Sequence, residues 1–356
     1  VKHRFVALTL GTCLLFASCG EGPKKAAAPK LFPVKVGSKH GYINGEGNIV
    51  ITPQYEYAGR FSEGLAAVNI GGNCDNVIGF PEGGVWGFIN EGGTFVINPQ
   101  FEQVAIHPFI YLTTLNLDGS FHEDKALVIR GGKAAYITRN GDSVLEFGSG
   151  FEKGYNFNEG LAAVCINRKW GFVNDRGLVI APRFDDASNF QEGLAFVEIG
   201  DKVAFIDKSG NLSINWFEGG YAPFSEGLAP VSVGDKKCGF INTTGKFIIE
   251  PQFDAALSFS EGLAPVEVSE KWGFINAQSQ LIINPQFDNT LGFSRGFAPV
   301  QIKGKWGYID RKGRLVIPPQ FEIAREFDGD LAEVWIKVGK KGYVNREGKI
   351  VWIDRD

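Results

Sequence analysis

The sequence predicts an all-β repeat fold, on three observations. The hexapeptide KWGFIN at 271–276 recurs as VWGFIN (85–90), KWGFVN (169–174), KCGFIN (237–242) and KWGYID (305–310). A second motif, FSEGLAPV at 259–266, returns at the same distance from the first in most units. Between the motifs, apolar residues alternate with period two and are bounded by turn residues, the pattern of short strands. Copies at a fixed period belong to a repeat architecture; a single pocket does not require them.

Two markers set the register. The tryptophan slot of the hexapeptide is occupied by His40, Trp86, Ala134, Trp170, Val203, Cys238, Trp272, Trp306 and Lys341. The first Phe of the second motif stands at Phe61, Phe157, Phe190, Phe224, Phe259, Phe293 and Phe327. Slot to Phe is 21 residues (272 to 293) and Phe to the next slot is 13 (293 to 306), giving a period of 34. FHEDKALV at 121–128 supplies the degenerate marker of a further unit, 13 residues before Ala134. Nine units result. Insertions of 12 and 14 residues fall on either side of Trp86, so the second and third units are the most individual part of the chain.

Within a unit, LAPVEV (263–268), KWGFIN (271–276) and LIINPQF (281–287) read as three strands. The turns between the last two carry Ala-Gln-Ser here and Thr-Thr-Gly, Asp-Arg-Lys-Gly or Glu-Gly-Gly elsewhere, where Gly supplies positive φ. Proline before Gln-Phe has no N–H and marks a strand end or an edge. The link DNTLGFSRG (288–296) is expected as a loop with room for one helical turn. Trp272 and Phe274 share one strand face and Ile275 takes the other, so each unit should be covered on both sides. A lone unit has too little core to stand alone, which makes stacking obligatory.

Three strands, 34 residues and nine whole units, with no strand left to lace the first unit to the last, predict an open β-solenoid. A β-propeller-like ring is the alternative. Polar residues in the terminal slots, His40 and Lys341, are expected as exposed caps.

The K-W-G-[FY]-[IV]-[ND] strand, the P-Q-F turn and the F-S-E-G-L-A-P-V strand resemble the WG-repeat family of bacteria. The resemblance covers 31–356, with departures at His40, Ala134, Val203 and Lys341 in the slot and Arg295 in place of Glu. It implies an exported or surface protein and carries no catalytic residue.

The flanks point to an address. Lys2, His3 and Arg4 precede a 13-residue apolar run, Phe5 to Ala17, too short to span a bilayer and shaped as an export signal over 1–18. Phe16-Ala17-Ser18-Cys19 resembles a bacterial lipobox, which implies lipid attachment at Cys19; ordinary cleavage leaving a free thiol is the alternative. GEGPKKAAAPK completes a tether over 19–30, with the repeat domain at 31–356. By resemblance to Gram-negative lipoproteins, Gly20 after the cysteine points to the outer membrane of the cell envelope.

Removing 1–18 takes away Lys2 and Arg4 and no acid, so the net charge goes from −4 to −6. A mildly acidic body argues against nucleic acid as partner. Cys74, Cys165 and Cys238 are too few and too scattered for a disulfide framework or a zinc site, and Cys165 and Cys238 read as buried thiols. No metal, cofactor or catalytic motif is expected.

The repeated acids Glu63, Glu159, Glu192, Glu226 and Glu261 sit in a turn before a strand, where they can accept backbone N–H bonds; the turn reading is preferred to paired catalytic carboxylates. The tryptophans are expected in the core rather than on a sugar-stacking ladder. The irregular units hold the candidate ligand contacts His107, Tyr111, His122, Glu123 and Asp124, against a plain decayed repeat. The expected role is a non-enzymatic scaffold for an envelope protein or a glycan. An envelope hydrolase with a site in the second and third units is the alternative.

Overall fold

The computed structural model describes residues 30–74, 81–104, 119–217, 222–233 and 237–355. Among them lie nine antiparallel sheets, each a meander in chain order, and no helix. We call the sheets blades one to nine. Blade seven is representative, with strands Ala255–Ala256, Ala264–Val268, Lys271–Ile275 and Leu281–Phe287. The last three are the strands expected from the sequence. The first is a two-residue lead strand that lies inside the segment expected as a loop. It is too short to show a period; lead strands of two residues in five blades, four residues in blade four and six in blade nine make seven of the nine sheets four-stranded.

The chain closes into a ring. Nine buried apolar clusters each join two successive blades. The ninth packs Phe32, Val34 and Ile43 of blade one against Leu331, Tyr343 and Trp352 of blade nine. Nine blades in an open stack have eight joints; nine joints require a ring. The open solenoid is thereby corrected in favour of the propeller-like alternative. Residues near the C-terminus supply the lacing that three-strand counting could not find. Arg355 bridges Val36 in parallel, its N–H donating to Lys35 O (3.1 Å) and its carbonyl accepting from Gly37 N–H (2.9 Å). His40 and Lys341 are therefore not exposed caps; both are half-buried near this closing joint.

Opposite strand faces serve opposite joints. Phe274 and Trp272 pack toward blade eight, whereas Ile275 packs toward blade six, as alternation along a strand demands. Each of the first eight joints is pinned by an aromatic pair. The marker Phe of one blade meets the Phe or Tyr two residues after the tryptophan slot of the blade before. Ring centroids lie 4.8 Å apart in Tyr42–Phe61 and 5.0 Å apart in Tyr308–Phe327. The indoles are core: Trp86 is 1% exposed and Trp170 2%, with Trp272 and Trp306 partly buried.

The Gly after the slot and the Pro of P-Q-F form one device. Between the pairs Phe274↔Ile283 and Trp272↔Phe287 the fourth strand carries two extra residues, a bulge that presses its backbone onto Gly273. A Cβ on Gly273 would lie 2.5 Å from Ile283 O and 2.7 Å from Pro285 N. Units three and five carry Ala135 and Ala204 at this glycine position and lack the proline.

The fourth strand is a free sheet edge. It exposes aliphatic pairs such as Leu281/Ile282 and Leu315/Val316, and proline within it blocks edge-to-edge pairing. Lead segments touch one another instead, as where Ser258 Oγ donates to Pro223 O of the preceding blade at 2.9 Å. They therefore surround the axis while the fourth strands form the rim.

Candidate functional site

Residues Ser-Glu-Gly-Leu form a two-residue hairpin between lead segment and second strand. In blade seven Ser260 and Leu263 exchange both backbone hydrogen bonds, and Glu261 (φ 53°) and Gly262 (φ 79°) are both left-handed, as a type I′ turn requires. Each glutamate reaches the next turn of the ring. Glu159 accepts from Gly193 N–H (2.9 Å), Glu226 from Gly262 N–H (2.9 Å) and Glu261 from Gly296 N–H (3.0 Å). The serine hydroxyl works alongside, Ser260 Oγ donating to Phe293 O at 2.6 Å. The turn reading of these acids is borne out; they are separate carboxylates, each tied to backbone.

His122, Glu123 and Asp124 occupy this same hairpin in blade three. The Glu63 carboxylate accepts from the N–H groups of Glu123 (2.8 Å) and Asp124 (2.9 Å), and Glu123 accepts from Gly160 N–H (2.8 Å). Asp124 stands where other units have Gly and keeps the left-handed φ of 59°; it pairs with Arg139 at 3.3 Å. His122 Nε2 lies 3.0 Å from Ser120 Oγ. The degenerate unit thus retains the interlocking role of the regular ones. His107, Tyr111 and Cys19 lie outside the described residues.

The other ring face is held by a second set that the sequence reading missed. The acid after P-Q-F accepts from the lysine that opens the hexapeptide and from a backbone N–H of the adjoining turn. Asp288 takes Lys271 Nζ (2.6 Å) and Lys303 N–H (2.5 Å); Asp185 takes Lys169 Nζ (2.6 Å) and Gly200 N–H (2.9 Å). The Lys271 and Lys303 bonds hold the Asp288 carboxyl below its usual range, and Asp185 is lowered likewise. The readable signal is a Lys and an acid about 17 positions apart in unit after unit.

The closing joint is chemically unlike the rest. Glu333, only 8% exposed, has Lys341 Nζ at 3.2 Å, Arg60 Nη2 and Tyr343 OH at 3.4 Å, and Arg325 Nε at 3.3 Å. Burial works against the charge on Glu333, but Lys341, Arg60 and Arg325 together outweigh it and hold the carboxyl down to about 2. Burial likewise opposes the Lys341 charge, and Glu333 outweighs it, so the ammonium is held above its usual range. His40 is lowered to about 4 by burial and then by Lys341, and its Nδ1–H donates to Glu56 O at 2.8 Å. A partly open cavity of about 10 Å³ lies beside Phe32, Arg60, Glu333 and Tyr343, room for at most one water. Glu333 too was missed. Other units have Ala, Leu, Phe or Pro at its position, which was the available signal.

Cys165 is buried and Cys238 half-buried, both without a disulfide, and Cys74 donates its thiol to Glu56 O at 3.1 Å. Among the described residues no group of three or more His, Cys, Asp or Glu is placed to hold a metal ion.

A family described as WG containing repeat matches residues 41–74, 86–111, 136–170, 170–202, 204–236, 239–272, 272–306 and 306–335. These eight segments follow the eight intervals between nine slots. No curated protein matches the chain in sequence. Among solved structures, a eukaryotic initiation factor aligns with TM-score 0.59 and 12% identity, over 92% of this chain and 96% of its own. BamB from Moraxella catarrhalis aligns with TM-score 0.44 and 11% identity, over 81% and 90%. The computationally designed Ika8 protein aligns with TM-score 0.46 and 10% identity, over 65% and 84%. At these identities the initiation factor shares the fold alone.

Proposed function

The chain belongs to the WG-repeat family, and from that premise and its ring we propose a non-enzymatic interaction scaffold of the bacterial cell envelope. It is held to the membrane, most plainly the outer one, by lipid on Cys19, and it binds an envelope protein or a glycan. The observation that supports this reading is the use made of the polar side chains. Carboxylates that would have to converge for hydrolysis are each bonded to the backbone of the next blade, as Glu123 is to Gly160 and Glu261 to Gly296. A ring so interlocked is a rigid platform, and its turns and insertions are where recognition is placed.

Closure changes how binding would work. A linear array offers many equal contacts in a row, whereas a ring offers two faces. One carries the Ser-Glu-Gly hairpins and the turns before the fourth strand, in contact through Arg311 Nη2 and Glu261 O (2.5 Å). The other carries the second-to-third-strand turns and the links between blades. Residues 71–74 and 81–84 of blade two, which follow Ile70 and precede Val85, lie on this second face.

The test is capture of envelope extract on the intact ring, run beside a glycan array. A specific protein or sugar retained by the wild type supports the scaffold. A turnover of envelope substrate that His122→Ala abolishes, with the fold intact by circular dichroism, would establish the hydrolase instead. For the anchor, Cys19→Ala is expected to release the protein from the membrane fraction; continued partitioning there refutes lipidation.

A further inference from the structure

We propose that the ring has a built-in clasp at the joint between blades nine and one, and that it opens there while its blades remain folded. The clasp is made of groups that do, one for one, what a lead strand does elsewhere.

At the joints into blades two, five, seven and eight the lead segment provides three things. Its marker Phe stacks on the aromatic of the preceding blade, at 4.8–5.0 Å. A backbone N–H reaches the third position of the second strand, as Leu291 N–H reaches Pro299 O (3.1 Å) and Leu257 N–H reaches Pro265 O (3.0 Å). Another reaches the fifth position, as Asp288 N–H reaches Gln301 O and Asp254 N–H reaches Glu267 O, both at 2.9 Å.

In blade one all three come from elsewhere. Phe32 meets Tyr343 at 5.5 Å, and it stands where the eight other units carry alanine: 66, 126, 162, 195, 229, 264, 298 and 332. Tyr343 OH bonds Pro33 O (3.0 Å), whereas the equivalent hydroxyls of Tyr42 and Tyr308 bond lead-segment carbonyls, Gly59 O and Arg325 O, both at 2.8 Å. Lys35 O receives Arg355 N–H from the opposite end of the chain (3.1 Å).

Three features make this the joint that opens. The chain itself crosses the other eight joints, while this one brings together residues about 300 positions apart, such as Lys30 with Asp328 and Pro33 with Tyr343. Its cluster has six buried apolar side chains, against eight or more at each other joint among the described residues. Finally, Glu333, Arg325 and Lys341 all stand on blade nine, so when the joint parts they keep one another, lose only Arg60 and regain water, and part of what is lost returns as hydration. Apolar joints recover nothing of the kind. Local opening follows the cheapest boundary in a fold.

Thiol-labelling rates test this. Val34, Val266 and Val300 hold equivalent places at joints nine–one, six–seven and seven–eight, each at most 1% exposed. The variants V34C, V266C and V300C are made in the full chain, and alkylation is read peptide by peptide by mass spectrometry. The native cysteines serve as internal references. We expect V34C to react at least tenfold faster than the other two, and Phe32→Ala to raise the V34C rate tenfold further without moving theirs. Equal rates at the three joints, or acceleration of all three by Phe32→Ala, would overturn the proposal. Should V34C fail to fold, hydrogen exchange of the wild type decides. Gly37 N–H, bonded to Arg355 O, must then exchange at least tenfold faster than Asp254 N–H and Asp288 N–H.

Discussion

Replacing Glu333 by glutamine should cost the ring about 3 kcal/mol at neutral pH, by an amount that depends on pH in a stated direction. Glu333 is buried and its carboxyl is drawn from 4.5 down to about 2 despite burial, by Lys341, Arg60 and Arg325. At about 1.4 kcal/mol per pH unit that difference is worth about 3 kcal/mol. Removing one partner of a buried ion pair costs about 3–5 kcal/mol by a separate line of reasoning, because the cations are left uncompensated. The two figures agree. A carboxyl with a depressed folded value contributes its full stabilisation above its unfolded value of 4.5 and loses it as pH falls toward 2. Urea unfolding followed by tryptophan fluorescence, on wild type and Glu333→Gln at pH 7 and pH 2.5, measures both quantities. The gap of about 3 kcal/mol at pH 7 should largely close at pH 2.5, since the other titrating carboxylates are common to both proteins. A gap of the same size at both values would mean that Glu333 acts through packing and not through its charge.

Further outcomes follow from the regular joints. Phe259→Ala removes the ring that meets Phe240 at 5.0 Å and should destabilise by about 3–5 kcal/mol, read from the urea midpoint. Gly273→Ala forces a Cβ to within 2.5 Å of Ile283 O and should cost about 1–3 kcal/mol, whereas Ala204→Gly, where the bulge proline is missing, should not gain a comparable amount. Glu226→Ala frees the Gly262 N–H and should cost about 1 kcal/mol, with faster exchange of that amide but not of Asp288 N–H in blade eight.

The repeat and its faces were legible because aromatic residues mark them. Trp272 and Phe274 alternate with Ile275 in the sequence and face opposite joints in the fold. The role of Glu226 and Glu261 could be read from their place between a marker Phe and a strand. Ring closure was not legible from strand counting, since Ala255–Ala256 and four of its counterparts are two residues long and leave no periodic trace. The end units misled for a physical reason. Lys341 in a tryptophan slot reads as solvent-facing until Glu333 and Arg60 are brought beside it, and Arg60 is 281 positions away in sequence. Phe32 carried a visible signal, a large residue in a column of alanines, but its meaning depends on knowing that Tyr343 lies opposite. Where function is concerned, the acids of the irregular hairpin keep the bonds of the regular ones despite their odd spelling.

Zero-length carbodiimide cross-linking addresses ring closure most directly. Lys30 of blade one pairs with Asp328 of blade nine, and within one reaction Lys305 with Glu322 (2.7 Å) serves as the control joint. The closed ring predicts an intramolecular Lys30–Asp328 product in monomeric protein, recovered by peptide mass spectrometry alongside the control. Recovery of the Lys305–Glu322 product with no Lys30–Asp328 product in the monomer would mean that the ends of the array do not meet.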